Sequence, residues 1–227
     1  MRQLAALFLL AACVSPQAAA TAQEQAEWVT LGTSGGPPVR VERAQISNAL
    51  LTSDGGAYLF DTGNDVQRQM ARAGIAEPSV RAIFLSHHHL DHVADLGPLL
   101  WTHWTFGRGV LTVVGPVGTR ELVEGLVQAS APITLAGYPT TGPPQVSLTD
   151  KLQVIEIPVD LAAPQEVFRD DAITVEAVGV DHFQTPPSIS LEAMPQAVAY
   201  RVTAADRTIV YTGDSGPSTR LEALIAG

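Results

Sequence analysis

Residues 86–97 read SHHHLDHVADLG, so four of the chain's six histidines fall within six positions, with Asp91 among them. Imidazole suits zinc and similar divalent metals, and a carboxylate can span two cations. On an extended turn His87 and His89 project to the same side, so two rings can clamp one ion. Asp91 and His92 follow as the chain turns into a helix, and they face a neighbouring position. Two ions about 3.5–4 Å apart can share a hydroxide whose pKa falls from 15.7 to roughly 7, while they polarise the bond under attack. Dications that close need a bridging carboxylate, and Asp214 in IVYTGDSG is the candidate; His182 in AVGVDHFQ is the candidate for a further imidazole. His88 alternates with its neighbours and is expected to point away. His103, between Trp101 and Trp104, is expected to be structural. Asp61 in LFDTG is expected to orient a histidine or the loop rather than to bind metal directly.

These side chains need elements to carry them. Ala44–Thr52 and Ala57–Phe60 alternate around Ser53-Asp54-Gly55-Gly56, a hairpin signal. Asn64 is placed to cap a helix over 65–73 that stops at Gly74. Val80–Leu85 is a continuous apolar run, the pattern of a strand covered on both faces. LGPLLWTHWTFGR and TRELVEGLVQA read as helices, with VLTVVGP as a strand between them. Residues 131–150 are rich in Pro, Gly and Thr and read as a long loop, either a substrate wall or a surface connection. Strand-like segments follow at Leu152–Ile157, Ala172–Val180, Ala197–Thr203 and Thr208–Thr212, with a last helix. This order implies an α/β protein with a mixed sheet. The candidate ligands all fall just past the ends of strands, where α/β layers converge on one crevice.

SHHHLDH fits the His-x-His-x-Asp-His signature of the metallo-β-lactamase fold superfamily. With LGTSGGPP, YLFDTG, GPVGT and VAYRV…TIVYTGDSGPS, the chain over residues 28–227 resembles the ribonuclease Z and arylsulfatase-type branch. The resemblance implies a four-layer αβ/βα sandwich with a dinuclear site, usually zinc, in the cleft between the sheets. Carried over by position, His87, His89 and His182 would hold one metal, Asp91 and His92 the second, and Asp214 would bridge. Asp91 would also be the proton-transfer residue. The family's site needs one more histidine on a later loop, and no histidine follows His182. The final strand, its helix and that ligand are therefore expected to be missing, as in a fragment or a naturally short variant, with the second site incomplete.

Composition bears on partners and location. The chain has 227 residues, 46% of them hydrophobic, which can bury one sizeable core. Residues 1–22, with Arg2 and an apolar stretch from Leu4 to Ala12, read as a secretory signal ahead of a domain over 23–227. Cleavage would fall after Ala20 or Ala22. Leu10-Ala11-Ala12-Cys13 also resembles a lipobox, which would make a lipid anchor on Cys13 the one membrane connection. Thirteen basic against 23 acidic residues, with Lys151 the sole lysine, argue against a nucleic-acid partner. The ribonuclease Z branch has a basic RNA-gripping arm and works inside cells, which an exported, acidic chain does not match. The expectation is an exported metal-dependent hydrolase of a small ester: phosphodiester, sulfate ester or lactone. The alternative is a non-catalytic metal-binding relative.

Overall fold

The computed structural model describes residues 26–137, 146–183, 195–205 and 207–226. The expected leader over 1–22 and Cys13 lie outside them.

Six strands form the first sheet in sequence order: β1 (Glu27–Gly32), β2 (Ser47–Leu51), β3 (Ala57–Thr62), β4 (Val80–Phe84), β5 (Leu111–Pro116) and β6 (Leu152–Ile157). The β1–β2–β3 pairs are antiparallel, whereas β3 to β6 run parallel. The helices between these parallel strands, α1 (Val66–Arg72), α2 (Leu90–Val93), α3 (Leu96–Phe106) and α4 (Thr119–Ala129), supply the crossovers that parallel pairing needs. The second sheet is antiparallel in the order β10 (Arg207–Tyr211), β9 (Ala197–Ala204), β8 (Ile173–Val180) and β7 (Gln165–Arg169), with α6 (Thr219–Ala226) at its outer face.

Strand alternation explains how four layers close. Leu59, Ile83, Leu85 and Val113 point to the helices, where Val66, Met70, Leu96, Leu100 and Val123 meet them. Tyr58, Phe60, Phe84 and Val114 point the other way and pack on Val175, Ala177, Val198, Tyr200 and Val202 of the second sheet. Val178, Val180, Ala197 and Ala199 face outward again, onto Leu224 of α6. The apolar run at Val80–Leu85 thus reads as it does because both of its faces are buried. The α/β four-layer sandwich expected from the resemblance is the observed architecture.

Several local expectations are corrected. Asn64 does not cap α1; Asp65 sits there with φ 79 and no side-chain cap, and its N–H donates to the Asp95 carboxylate at 2.6 Å. The expected loop over 131–150 opens with a short helix, α5 (Ala131–Ala136), because Pro132 suits a first helical turn; residues 138–145 lie outside the described residues. β1 and β7 carry no strong sequence signal: both are edge strands with only a few apolar positions.

Candidate metal centre

The ends of four strands meet at one place. β4 runs out into Ser86–His92, β8 into His182, β10 into Asp214, and Asp61 is the second-to-last residue of β3. The Tyr200 hydroxyl donates to the Leu85 carbonyl at 2.6 Å, and the Val198 N–H donates to the Ser86 carbonyl at 2.9 Å, so the second sheet grips the start of the histidine turn. Gly213, at φ 53, lets the Asp214 turn lie against Ser86; a Cβ there would sit 2.6 Å from the Ser86 Cβ.

His87, His89 and His182 bring one ring nitrogen each into a single cluster. His87 Nε2 lies 2.9 Å from His89 Nδ1, and His182 Nε2 lies 3.1 Å from the same atom. A tetrahedral zinc ion with Zn–N distances of 2.0–2.1 Å holds its nitrogens roughly 3.3 Å apart, so these three are spaced to share one cation. Burial, with the neighbouring imidazoles, pushes His87 down to about 2, which keeps its ring neutral and its lone pair free to ligate. Burial also lowers His182, against the opposing pull of Asp214.

The second cluster differs from the expected one. His92 gathers with Asp214 and with His87, and Asp91 stands beside that group rather than inside it. His92 Nε2 lies 3.6 Å from Asp214 Oδ1 and 3.7 Å from Asp91 Oδ2. Asp214 Oδ2 is also 3.9 Å from His182 Nε2, so this carboxylate faces both histidine groups. Asp91 Oδ2 accepts the Gly36 N–H at 2.5 Å, a contact from the loop after β1 that fixes its direction.

Asp61 behaves as a support. Fully buried and held at φ 59, a conformation non-glycine residues adopt rarely, it accepts four hydrogen bonds. These come from the Ser86 N–H and Oγ at 2.7 Å each, His92 Nδ1 at 2.6 Å and the Tyr211 hydroxyl at 2.5 Å. The proton on His92 Nδ1 is thereby fixed, and Nε2 is left with its lone pair. Although burial, the largest influence, lowers His92, the Asp61 hydrogen bond and the charges of Asp61, Asp214 and Asp91 together raise it. His92 Nε2 is buried and makes no hydrogen bond among the described residues, an arrangement that costs about 1–3 kcal/mol unless something binds there. An orphaned imidazole nitrogen between two carboxylates fits a divalent cation. The His/Asp cluster is compatible with a divalent metal site.

The remaining histidines fall as expected. His88 turns away, its Nε2 2.9 Å from Thr119 Oγ1, and buried His103 reaches the Gly109 carbonyl at 3.3 Å. Ser86, Tyr211 and the Gly36 N–H are functional contacts with no sequence signature of their own. Tyr211 stands three positions before Asp214 at a strand end, the one clue that could have marked it.

The metallo-beta-lactamase superfamily profile matches residues 42–226. Ribonuclease Z of Mycobacterium sp. (strain KMS) is 36% identical over 204 residues, covering 88% of this chain and 65% of the relative. Ribonuclease Z of Mycobacterium bovis (strain BCG / Pasteur 1173P2) is 29% identical over 208 residues, covering 88% and 66%. The chain thus spans just under two thirds of the length of these curated relatives. Among solved structures, the short form of human tRNase Z aligns with a TM-score of 0.63 at 22% identity, covering 86% of this chain and 71% of that one, a likeness of fold.

These relatives bear out the resemblance to the ribonuclease Z branch and overturn two expectations, the small-ester substrate and the absence of a nucleic-acid partner. A hydrolase of small esters finds no support among them, and a chain without a nucleic-acid partner conflicts with relatives that are ribonucleases by name. Net charge misled because it counts Asp61, Asp91 and Asp214 as repelling phosphate, whereas cations bound beside them would reverse the local field. With the profile matched over residues 42–226, the chain belongs to the metallo-beta-lactamase superfamily.

Proposed function

We propose that this chain carries the centre of a metal-dependent phosphodiesterase acting on RNA, with tRNA as its substrate class and zinc as its ion. The observation that carries this reading is His92 Nε2, buried between Asp91 and Asp214 with no hydrogen bond among the described residues. His87, His89 and His182 would hold one ion, and His92 with Asp214 the other. Divalent ions there supply Lewis acidity and bring the pKa of water in the site toward neutrality.

The chain's own groups do the rest. Asp61 sets the His92 tautomer through Nδ1. Asp91, aimed by the Gly36 N–H and only 5% exposed, is positioned to take a proton from the attacking water. Asp214, with its side chain 46% exposed, stands at the mouth where a phosphodiester would enter. The relatives' names, ribonuclease Z and tRNase Z, support RNA as the polymer.

Incubating the zinc-loaded chain with labelled tRNA tests the proposal. Cleavage that is lost with a chelator, restored by zinc and absent in His89→Ala is the expected result. A chain that binds zinc tightly yet leaves tRNA intact would be a metal-binding protein instead.

A further inference from the structure

His182 and Asp214 come from strands that are not neighbours. β9 lies between β8 and β10, so their axes are about 10 Å apart at ordinary strand spacing. Their ligand atoms nonetheless approach to 3.9 Å, and the loops beyond the sheet must be drawn together by something other than strand pairing. The connecting contacts converge on Asp181, the residue before His182. Its carbonyl accepts the Gly216 N–H at 2.6 Å, from the turn just past Asp214. Its carboxylate accepts Arg220 Nη2 at 3.1 Å, from the first turn of α6. The other arm of the same guanidinium, Nη1, donates to Asp160 Oδ1 at 2.7 Å. Between them the group lies over Gly179, where a Cβ would stand 3.2 Å from Nη1.

We propose that Arg220 is a positioning residue for the metal centre, clamping the His182 and Asp214 turns at the separation that ligation requires. The clamp rests on the metal-centre reading above. Arginine suits the task because a planar fork serves two carboxylates in fixed directions, whereas an ammonium does not. Its effect belongs to the site rather than to overall stability. The side chains of Arg220 and Asp181 are 30% and 65% exposed, and ion pairs this open contribute little to folding. Residues that orient metal ligands typically govern affinity by 10–100-fold.

The test is a zinc titration of the full chain against a chromophoric chelator, with thermal unfolding of each metal-free variant alongside. Arg220→Ala is expected to weaken zinc binding roughly tenfold or more, Arg220→Lys to recover part of that loss, and the metal-free melting temperature to move little. Asp181→Ala should weaken zinc similarly, and the double variant should lose less than the two single losses combined, because both remove one contact. Wild-type zinc affinity in Arg220→Ala overturns the clamp. Should that variant fail to fold, Asp181→Ala decides alone, and wild-type affinity there overturns it. A wild-type chain that binds no zinc refutes the metal centre itself and the clamp with it, an outcome the unmutated control separates from the others.

Discussion

At His92 the two ring nitrogens have opposite fates: Nδ1 is tied to Asp61 at 2.6 Å, and Nε2 is buried with no hydrogen bond among the described residues. Removing the tie should free the ring to change tautomer and rotate. Asp61→Ala is therefore expected to weaken zinc binding by about 10–100-fold, and Tyr211→Phe by less, because three donors to Asp61 remain. Chelator competition measures both, and unchanged affinity in Asp61→Ala would mean that the ring is held by other contacts. Much of this chemistry was legible in residues 86–92, because metal ligation demands particular side chains at short spacing. The supporting role of Asp61 was legible too, from its place at a strand end. Ser86 and Tyr211 were not, since a hydroxyl that orients a carboxylate has no spacing rule. The pairing of His92 with His87, with Asp91 set beside it, depends on how the turn curls, which sequence spacing does not fix.

The elements explain why distant residues arrive together. Parallel strands β3 to β6 send their carboxyl ends one way, and the second sheet turns β8 and β10 to meet them. Continuous apolar runs exposed the central strands to sequence reading, whereas β1 and β7 at the edges hid because one face of each is solvated. The start of α1 hid for a different reason. Its cap comes from Asp95, thirty positions away, and no local pattern encodes a contact of that range. Asp95→Ala is expected to destabilise the fold by about 0.5–2 kcal/mol in urea unfolding; no change would show that the terminal N–H groups of α1 find other acceptors. On α3, burial holds His103 below the ordinary imidazole range. A histidine lowered in the folded state stays neutral there, while the unfolded chain takes up its proton below about pH 6.5. Its contribution is present above that pH and lost as the pH falls through it. His103→Gln should flatten the acid side of the stability profile, and an unaltered profile would assign the acid loss to other groups.

For the whole molecule, net charge and the proposed function pull in opposite directions. A chain with formal net charge −10 and one lysine offers little to a polyanion until cations enter its cleft. RNA binding is therefore expected to depend on divalent ions: filter binding should detect tRNA with the zinc-loaded chain and lose it after chelation. Equal binding in both states would place the RNA contacts away from the centre. The α/β layering was legible in the order of strands and helices, whereas the four-layer plan came from the resemblance that the SHHHLDH motif carries. Partner class was not legible, because a residue count omits the charge that ions bound at the cleft would bring. The most direct measurement is an anomalous difference map at the zinc edge from crystals grown with zinc. A strong peak is expected among the nitrogens of His87, His89 and His182, with a weaker one against His92 Nε2 and Asp214, whose site lacks a later histidine. A map without density at either cluster, from protein that is otherwise well ordered, would contradict the metal centre.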